Sequence, residues 1–539
     1  MGDGELTWRK CDFLKTPPIL FYLVTGVLLL SCNQIKETNN PETSPPISSL
    51  SGRELANVHC ASCHIFVPPD RLSKEIWKLD VLPAMGNRLG IYNGEHQPDS
   101  IFGSFRNAAI VKEANVFPEE PLVAREDWDK LVAFYVQNAP EMAPSPKPNT
   151  PIKTGLKHFK YNEASYANSP PLTAMVKILS GQKGLVFGDG KPNGKGLTFL
   201  NPDLEKGINL QLANTPIHYH QDTEAIYLTT IGKDVYPNDL ADGALLKFKG
   251  EGMAIDRGSG ERLIANLQRP VDMAYGDLNN DGLQDVVACE YGDLTGKLVW
   301  YENMGNGNYT SKVLKIGPGA IKAIINDYNK DGQNDIFVLM AQGDEGILYF
   351  ENVGNGKFVE RRLLRFSPLN GSQYFELADF NGDGLDDILY VCGDNADKTP
   401  ILKEYHGIYI FINAGNLNFE PSYFYHQNGA YKALSRDYDG DGDLDIAAIS
   451  FFPDYADTPE ESFVYLENRG GLEFVASTFA ESTKGRWVVM DAGDIDGDGD
   501  IDLALGSSVQ FFAKGDTTGL SKKWLTESPS VILLENTLQ

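Results

Sequence analysis

The period of hydrophobic positions changes several times along this chain. Ile19 to Leu30 is an apolar run of 12 residues, too short for a spanning helix, which needs about 20. Trp128, Leu131, Val132 and Tyr135 fall at i, i+3, i+4 and i+7, which predicts an amphipathic helix ending near Pro140. From about residue 155 the helical period gives way to short apolar runs separated by Gly, Asn and Asp, the pattern of strands and turns. Runs such as Val286–Ala288 and Ile336–Leu339 are each followed by a second run ending in Asn: Val299–Asn303, Leu348–Asn352, Ile408–Asn413, Val464–Asn468 and Val531–Asn536. A Gly/Asn turn and a further strand usually follow, so each unit reads as a meander of four short antiparallel strands.

Between these strands an acidic loop recurs five times. The loops begin at Asp277, Asp327, Asp379, Asp437 and Asp494, spaced 50, 52, 58 and 57 residues apart. A period near 50 signals a propeller or solenoid. Oxygen side chains stand at positions 1, 3, 5 and 9, with Gly at 6. In order, they are Asp277, Asn279, Asp281, Asp285; Asp327, Asn329, Asp331, Asp335; Asp379, Asn381, Asp383, Asp387; Asp437, Asp439, Asp441, Asp445; and Asp494, Asp496, Asp498, Asp502. Alternate oxygens converging on one hard cation, with Gly allowing the sharp turn, is the front of an EF-hand loop. Position 12 holds no Glu and the flanks are strands, so these are not EF-hands. Oxygen ligands without His or Cys select Ca²⁺, about five ions. The loops resemble VCBS/FG-GAP repeats, the calcium-loop propeller family; the literal Phe-Gly and Gly-Ala-Pro signatures are absent, which places the resemblance nearer the VCBS branch.

Two further blades without acidic loops are read upstream, at Gly184–Gly188 with Gly196–Asn201 and at Ala225–Ile231 with Ala244–Phe248. The expected fold is therefore mainly β: a seven-bladed β-propeller over 155–539, about 55 residues per blade, preceded by a small all-α domain. After Asn536 too few residues remain for an outer strand, so Leu156–Tyr161 is expected to complete the last blade and close the ring.

The all-α segment carries the second chemistry. Cys60-Ala61-Ser62-Cys63-His64 is a C-x-x-C-H motif, whose spacing lets two thiols reach one edge of a haem while the next residue offers its imidazole to the iron. Zinc would need further Cys or His at matching spacing, and none stands nearby. For the sixth ligand, Met85 in a proline-stiffened Leu82-Pro83-Ala84-Met85 is preferred over His59, His96 and Met142. Residues 52–142 resemble a class I monohaem cytochrome c, which implies one covalent haem c held by Cys60, Cys63, His64 and Met85. Phe66, Trp77 and Phe134 are expected to pack its pocket. Five prolines from Pro140 to Pro151 mark a stiff linker, 143–154.

Ahead of this domain, Arg9, Lys10 and Lys15 precede the apolar run, which ends Leu29-Leu30-Ser31-Cys32. This resembles a bacterial lipobox, implying a signal peptide over 1–31, lipidation of Cys32, and a flexible tether over 32–51. The implied location is the bacterial cell envelope, lipid-anchored, outer membrane or periplasm-facing.

Composition narrows the partners. Lys and Arg number 47 against 74 Asp and Glu, a net charge of −27. That excludes nucleic acid as a main partner. Twenty aspartates lie in the five loops, so five Ca²⁺ would bring the charge to about −17. Cys289 and Cys392 fall in core strands of non-adjacent blades and read as buried free thiols. His218 and His220 share one face of a strand and could hold a metal or face the haem domain, with a surface or turn role favoured. Five residues before each loop stand Asp272, Lys322, Tyr374, Lys432 and Val489, positions that converge on a propeller axis and could line a ligand channel. Three readings remain open: electron transfer with the propeller docking a redox partner protein or small-molecule ligand; a sugar or alcohol dehydrogenase passing electrons to the haem; and a glycan- or protein-binding adhesion propeller with an accessory cytochrome. No catalytic residue is assigned.

Overall fold

The computed structural model describes residues 45–92, 108–144, 151–166, 168–393, 401–510 and 515–538. The leader, Cys32 and most of the tether lie outside the described residues, as do His96 and linker residues 145–150. Among the described residues no helix is long and apolar enough to cross a membrane.

The strands of 173–536 form seven sheets of the expected meander type, arranged as a ring. From the inside outward, blade 1 spans Thr173–Gln211 and blade 2 Pro216–Leu267. Blades 3, 4 and 5 span Pro270–Ile316, Ala320–Arg365 and Ser372–His426, and blade 6 runs over Ala430–Thr478. The second strand of every loop-bearing blade, such as Asp285–Glu290 or Asp335–Met340, is buried at every residue. Its unbroken apolar run follows from having a neighbouring blade on each face. Alternation then divides its side chains. Val286 and Ala288 enter the core shared with blade 2, while Val287 and Cys289 enter the core shared with blade 4. Each pair of neighbouring blades has such a core, so the ring is held by small interfaces rather than one centre. Cys289 and Cys392 are both buried and free.

Blade 7 is assembled from both ends of the propeller. Its inner three strands are Trp487–Gly493, Asp502–Ser507 and Val531–Asn536, and its outermost is Phe159–Glu163. That strand pairs antiparallel with Val531–Asn536, Phe159 opposite Asn536 and Glu163 opposite Ile532. The expected closure is present, three residues later than anticipated at its start. Lys153–Thr154, assigned to the linker, instead pairs parallel with Ser477–Thr478 on the rim of blade 6. An outer strand leaves its far edge open, and the linker's last residues occupy it.

The segment before the propeller is helical. Ser51 caps the helix Gly52–His59, accepting from Glu54 N–H while Glu54 accepts from Ser51 N–H at 2.8 Å. This helix crosses Arg125–Asn138 at Gly52, where a Cβ would lie 2.3 Å from the Lys130 carbonyl oxygen; only glycine permits that approach. Leu55, Trp77, Leu82, Trp128, Leu131 and Tyr135 form the core beneath the crossing. Residues 48–51 belong to this body rather than to a free tether, because Ser48 N–H donates to Asp127 at 2.7 Å and Leu50 packs on the core.

Pro45–Gln539 is one compact unit, and the helical segment lies on one face of the ring. In a four-stranded meander the acidic loops join first to second strands and so share one face. The turns joining second to third strands, and one blade to the next, lie on the opposite face. Arg71 pairs with Glu404 at 3.0 Å, and Leu369 and Ile401 pack against the helical core. All three propeller residues belong to that opposite face, so the acidic loops point away from the helices.

Candidate functional site

The C-x-x-C-H motif follows directly from the first helix. Cys60 is that helix's C-cap, donating its N–H to the Ala56 carbonyl, and the next turn brings Cys63 N–H to Cys60 O at 3.3 Å. Cys60 is half-buried against the helical core and Cys63 exposed. Burial first, and Cys63 second, push the Cys60 thiol up to about 11. His64 is half-buried, its Nδ1 2.7 Å from the Ile65 carbonyl. Such a bond engages one ring nitrogen and leaves Nε2 available to a ligand. Met85 packs against the same core. It sits on the helix Leu82–Arg88, with Pro83 in its first turn, rather than in the stiffened loop expected from the sequence. Met142, its competitor, is 83% exposed and is not part of this core. Phe66 and Phe134 are half-buried on this core and Trp77 is fully inside it. A thiol and a thioether on this core, with a second thiol and an imidazole in the turn that follows Cys60, form a donor set free of carboxylates, which suits a porphyrin iron. Arg88, on the same helix as Met85, lies within Coulombic reach of Cys63 and of Asp293 in blade 3.

The acidic loops share one internal geometry. The first Asp accepts the N–H of the Gly at position 6, for example Gly282 to Asp277 at 2.8 Å and Gly332 to Asp327 at 2.9 Å. Those glycines, together with Gly384, Gly442 and Gly499, have φ of 83° to 101°, where a side chain is strained. Position 9 does something the sequence reading missed. One oxygen of Asp285 accepts from Leu278 N–H at 3.1 Å and the other from Asn303 N–H at 2.7 Å. Asp387, Asp445 and Asp502 repeat this clasp, each tying its loop to the Asn that ends the third strand. That Asn also stitches blades: Asn352 donates to Leu278 O of blade 3, and Asn536 to Tyr438 O of blade 6, both at 2.8 Å. The recurrent Asp-to-Asn spacing was the available signal.

The five loops differ in charge. In the first three, the position 3 Asn donates to the position 5 carboxylate at 3.0–3.1 Å. In the last two an Asp stands there, and Asp437, Asp439 and Asp441 lie with ligand atoms within 4.8 Å of one another, as do Asp494, Asp496 and Asp502. Burial first, then hydrogen bonds and neighbouring aspartates, leave Asp445 at about 6 and Asp502 at about 7. All-oxygen donors crowded to this degree fit a hard divalent cation.

A third region lies at the axis. Asp272, Lys322, Tyr374, Lys432 and Val489 are each the third residue of an innermost strand, after the same register shift. The register reading was correct, and blade 2 contributes His218 at the same place. His218 lies 3.8 Å from Asp272 and is pushed down to about 4, mainly by burial. His220 stacks on Tyr275 with centroids 4.0 Å apart. The pair therefore occupies an inner strand packed on blade 3, not the surface or turn expected. Carboxylates here also cover the open edges of the next blade: Asp272 accepts from Ala323 N–H at 3.0 Å, Glu376 from Ser435 N–H at 2.9 Å, and Asp491 from Ile178 N–H at 2.8 Å.

Compared with known proteins, residues 327–390 and 437–505 match the FG-GAP-like repeat family. Each segment runs from one acidic loop to the second strand of the following blade. No curated protein matches the chain. Among solved structures, the N-terminal domain of Nup159 aligns at 11% identity with a TM-score of 0.41, over 73% of this chain and 100% of that one. The chain thus carries FG-GAP repeats in a seven-bladed β-propeller, an architecture suited to binding.

Proposed function

We propose that this chain is an envelope-anchored haem c protein that carries single electrons, with a calcium-tied propeller as its binding surface. The observation that carries the reading is Cys60 and Met85 packed on one apolar core, with Cys63 and His64 following Cys60 in the next turn, in a domain docked against the propeller face opposite the acidic loops. A covalently held haem with His and Met ligands supplies a one-electron couple. Cys60 and Cys63 would hold the porphyrin, and His64 and Met85 the iron. The Trp77 and Tyr135 rings, 4.3 Å apart, exclude water beneath that core. Calcium would sit in the acidic loops, with Asp437–Asp441 and Asp494–Asp502 binding most tightly. Cys32 would carry the lipid anchor, facing the chain to the periplasm or outer membrane.

Protein matured in an exporting, haem-attaching host should show a c-type haemochrome spectrum. Replacing both Cys60 and Cys63 by Ala should abolish it. A matured sample without Soret absorbance overturns the reading.

A dehydrogenase reading has one observation in its favour: the axial residues are third in inner strands that start on the face where the helical domain docks, so an axial ligand and the haem would share a side. Reduction of the haem by a sugar or alcohol in the purified protein supports it. Its absence across such a panel leaves electron transfer between proteins.

A further inference from the structure

Most charges around the axis are paired. Lys177 meets Asp491 at 3.0 Å and Arg436 meets Glu376 at 2.9 Å, while Asp272 is engaged by Ala323 N–H and His218. Lys322 and Lys432 have no carboxylate partner among the described residues. Their ammonium groups lie 4.9 Å and 5.1 Å from the ring centre of Tyr374, and so at most about 10 Å from each other. Among the described residues, Lys432 donates only to the Met490 carbonyl, at 2.7 Å, and neither Lys322 nor the Tyr374 hydroxyl makes a hydrogen bond. All three residues are half-buried, and so partly desolvated. Burial, with Lys322 adding repulsion against the pull of Asp491, brings Lys432 down to about 8. Asp491 and Glu376 act on Lys432 only from a distance, and two ammonium groups this close, neither in an ion pair among the described residues, favour an anion that completes them.

We propose that the axial channel is an oxyanion site, in which Lys322, Lys432 and the Tyr374 hydroxyl donate to the carboxylate or phosphate oxygens of one small molecule. Three donors arrive from three successive blades, and the flanking acids are already occupied by their own partners. A neutral ligand would leave both ammonium groups without a direct counter-charge, whereas an oxyanion meets both and gains charge-assisted hydrogen bonds. This gives a ligand class to the binding role proposed for the propeller and is silent on the haem, so its failure would leave the haem spectrum unaffected.

The test is calorimetric titration of the full chain, in low-chloride buffer, with inorganic phosphate in one arm and citrate in the other. Saturable binding of about one equivalent is expected in at least one arm, and the arm that binds separates phosphate from carboxylate ligands. Lys322→Ala and Lys432→Ala should each weaken it at least tenfold, Tyr374→Phe by a smaller factor, and Lys322→Arg should restore most of the affinity. Lys312→Ala, on the outer rim over Trp300, should leave it unchanged. Lys322→Ala orphans no hydrogen-bond partner, so it decides the matter if Lys432→Ala misfolds. No saturable binding in either arm, or binding indifferent to Lys322→Ala, overturns the proposal.

Discussion

Blades 1 and 2 and blades 3 to 7 build the same sheet by different means. In blade 1 the turn between the first two strands closes on its own backbone, Leu179 N–H to Gly184 O at 2.8 Å. In blade 2 one half-buried Asp222 suffices, accepting from Glu224 and Ala225 N–H at 2.8 Å each. Blades 3 to 7 replace such short turns with loops whose carboxylates organise the backbone from within and then clasp the third strand. A local turn needs no counter-charge. A loop of converging aspartates does, and its stability is thereby linked to a cation and to pH.

The largest expected effect separates the two designs. Asp502→Ala strands the Ile495 and Asn536 N–H groups in a buried site and should cost about 4 kcal/mol, at roughly 2 kcal/mol per orphaned donor. Asp222→Ala, at an exposed turn, should cost about 1 kcal/mol or less. Urea denaturation of both variants measures the gap, and equal losses would dissolve the distinction.

Next comes pH. On the face opposite the loops, burial raises Glu345 and Glu461 to about 7 each. A carboxyl group with a folded pKa above its unfolded value near 4.5 favours the folded state when protonated. Its contribution is therefore complete below pH 4.5 and lost as pH rises to about 7, by up to roughly 3 kcal/mol each. Glu345→Gln and Glu461→Gln should flatten this slope. In the acidic loops, calcium should impose the opposite trend, since ligation requires ionised carboxylates. Denaturation across pH 4.5–7.5, with calcium and with chelator, separates the two.

Within the loop-bearing blades, Asp439→Asn converts the fourth loop to the pattern of the first three and should weaken its calcium binding about tenfold. Asn279→Asp should strengthen the first loop by a similar factor. Calcium titration by calorimetry reads both. The smallest effect is expected at the docking contact, where the Arg71–Glu404 pair is exposed on both sides. Glu404→Ala should cost about 0.5 kcal/mol.

The blades, their period and their closure were legible because strands enclosed on both faces carry unbroken apolar runs, and because Asp and Gly recur at fixed offsets. The axial register of Lys322 and Lys432 was legible for the same reason. Other features depended on contacts between segments distant in sequence. Nothing near Lys153 announces that it will pair with Ser477, and nothing near Arg71 points to Glu404. The clasp by Asp285 and its counterparts was masked by chemistry, since a carboxylate at a ligand position reads as a ligand whether or not it also holds amides. His218 and His220 were misplaced because imidazoles suggest surface, while here Tyr275 and Asp272 give them a half-buried seat. Met85 was expected on a loop because Pro83 suggested a break, yet the helix runs on from Lys74 and widens to a π turn, Trp77–Val81, just ahead of the proline.

The strand Phe159–Glu163 has a consequence for biogenesis. Its partner, Val531–Asn536, is synthesised long after it, so an early-made ribbon must wait for a later one. Until then blade 7 presents an unsatisfied edge, and the helical domain hangs from an unfastened thread. Maturation of the front of the molecule and sealing of the rear are thus joined at a single seam.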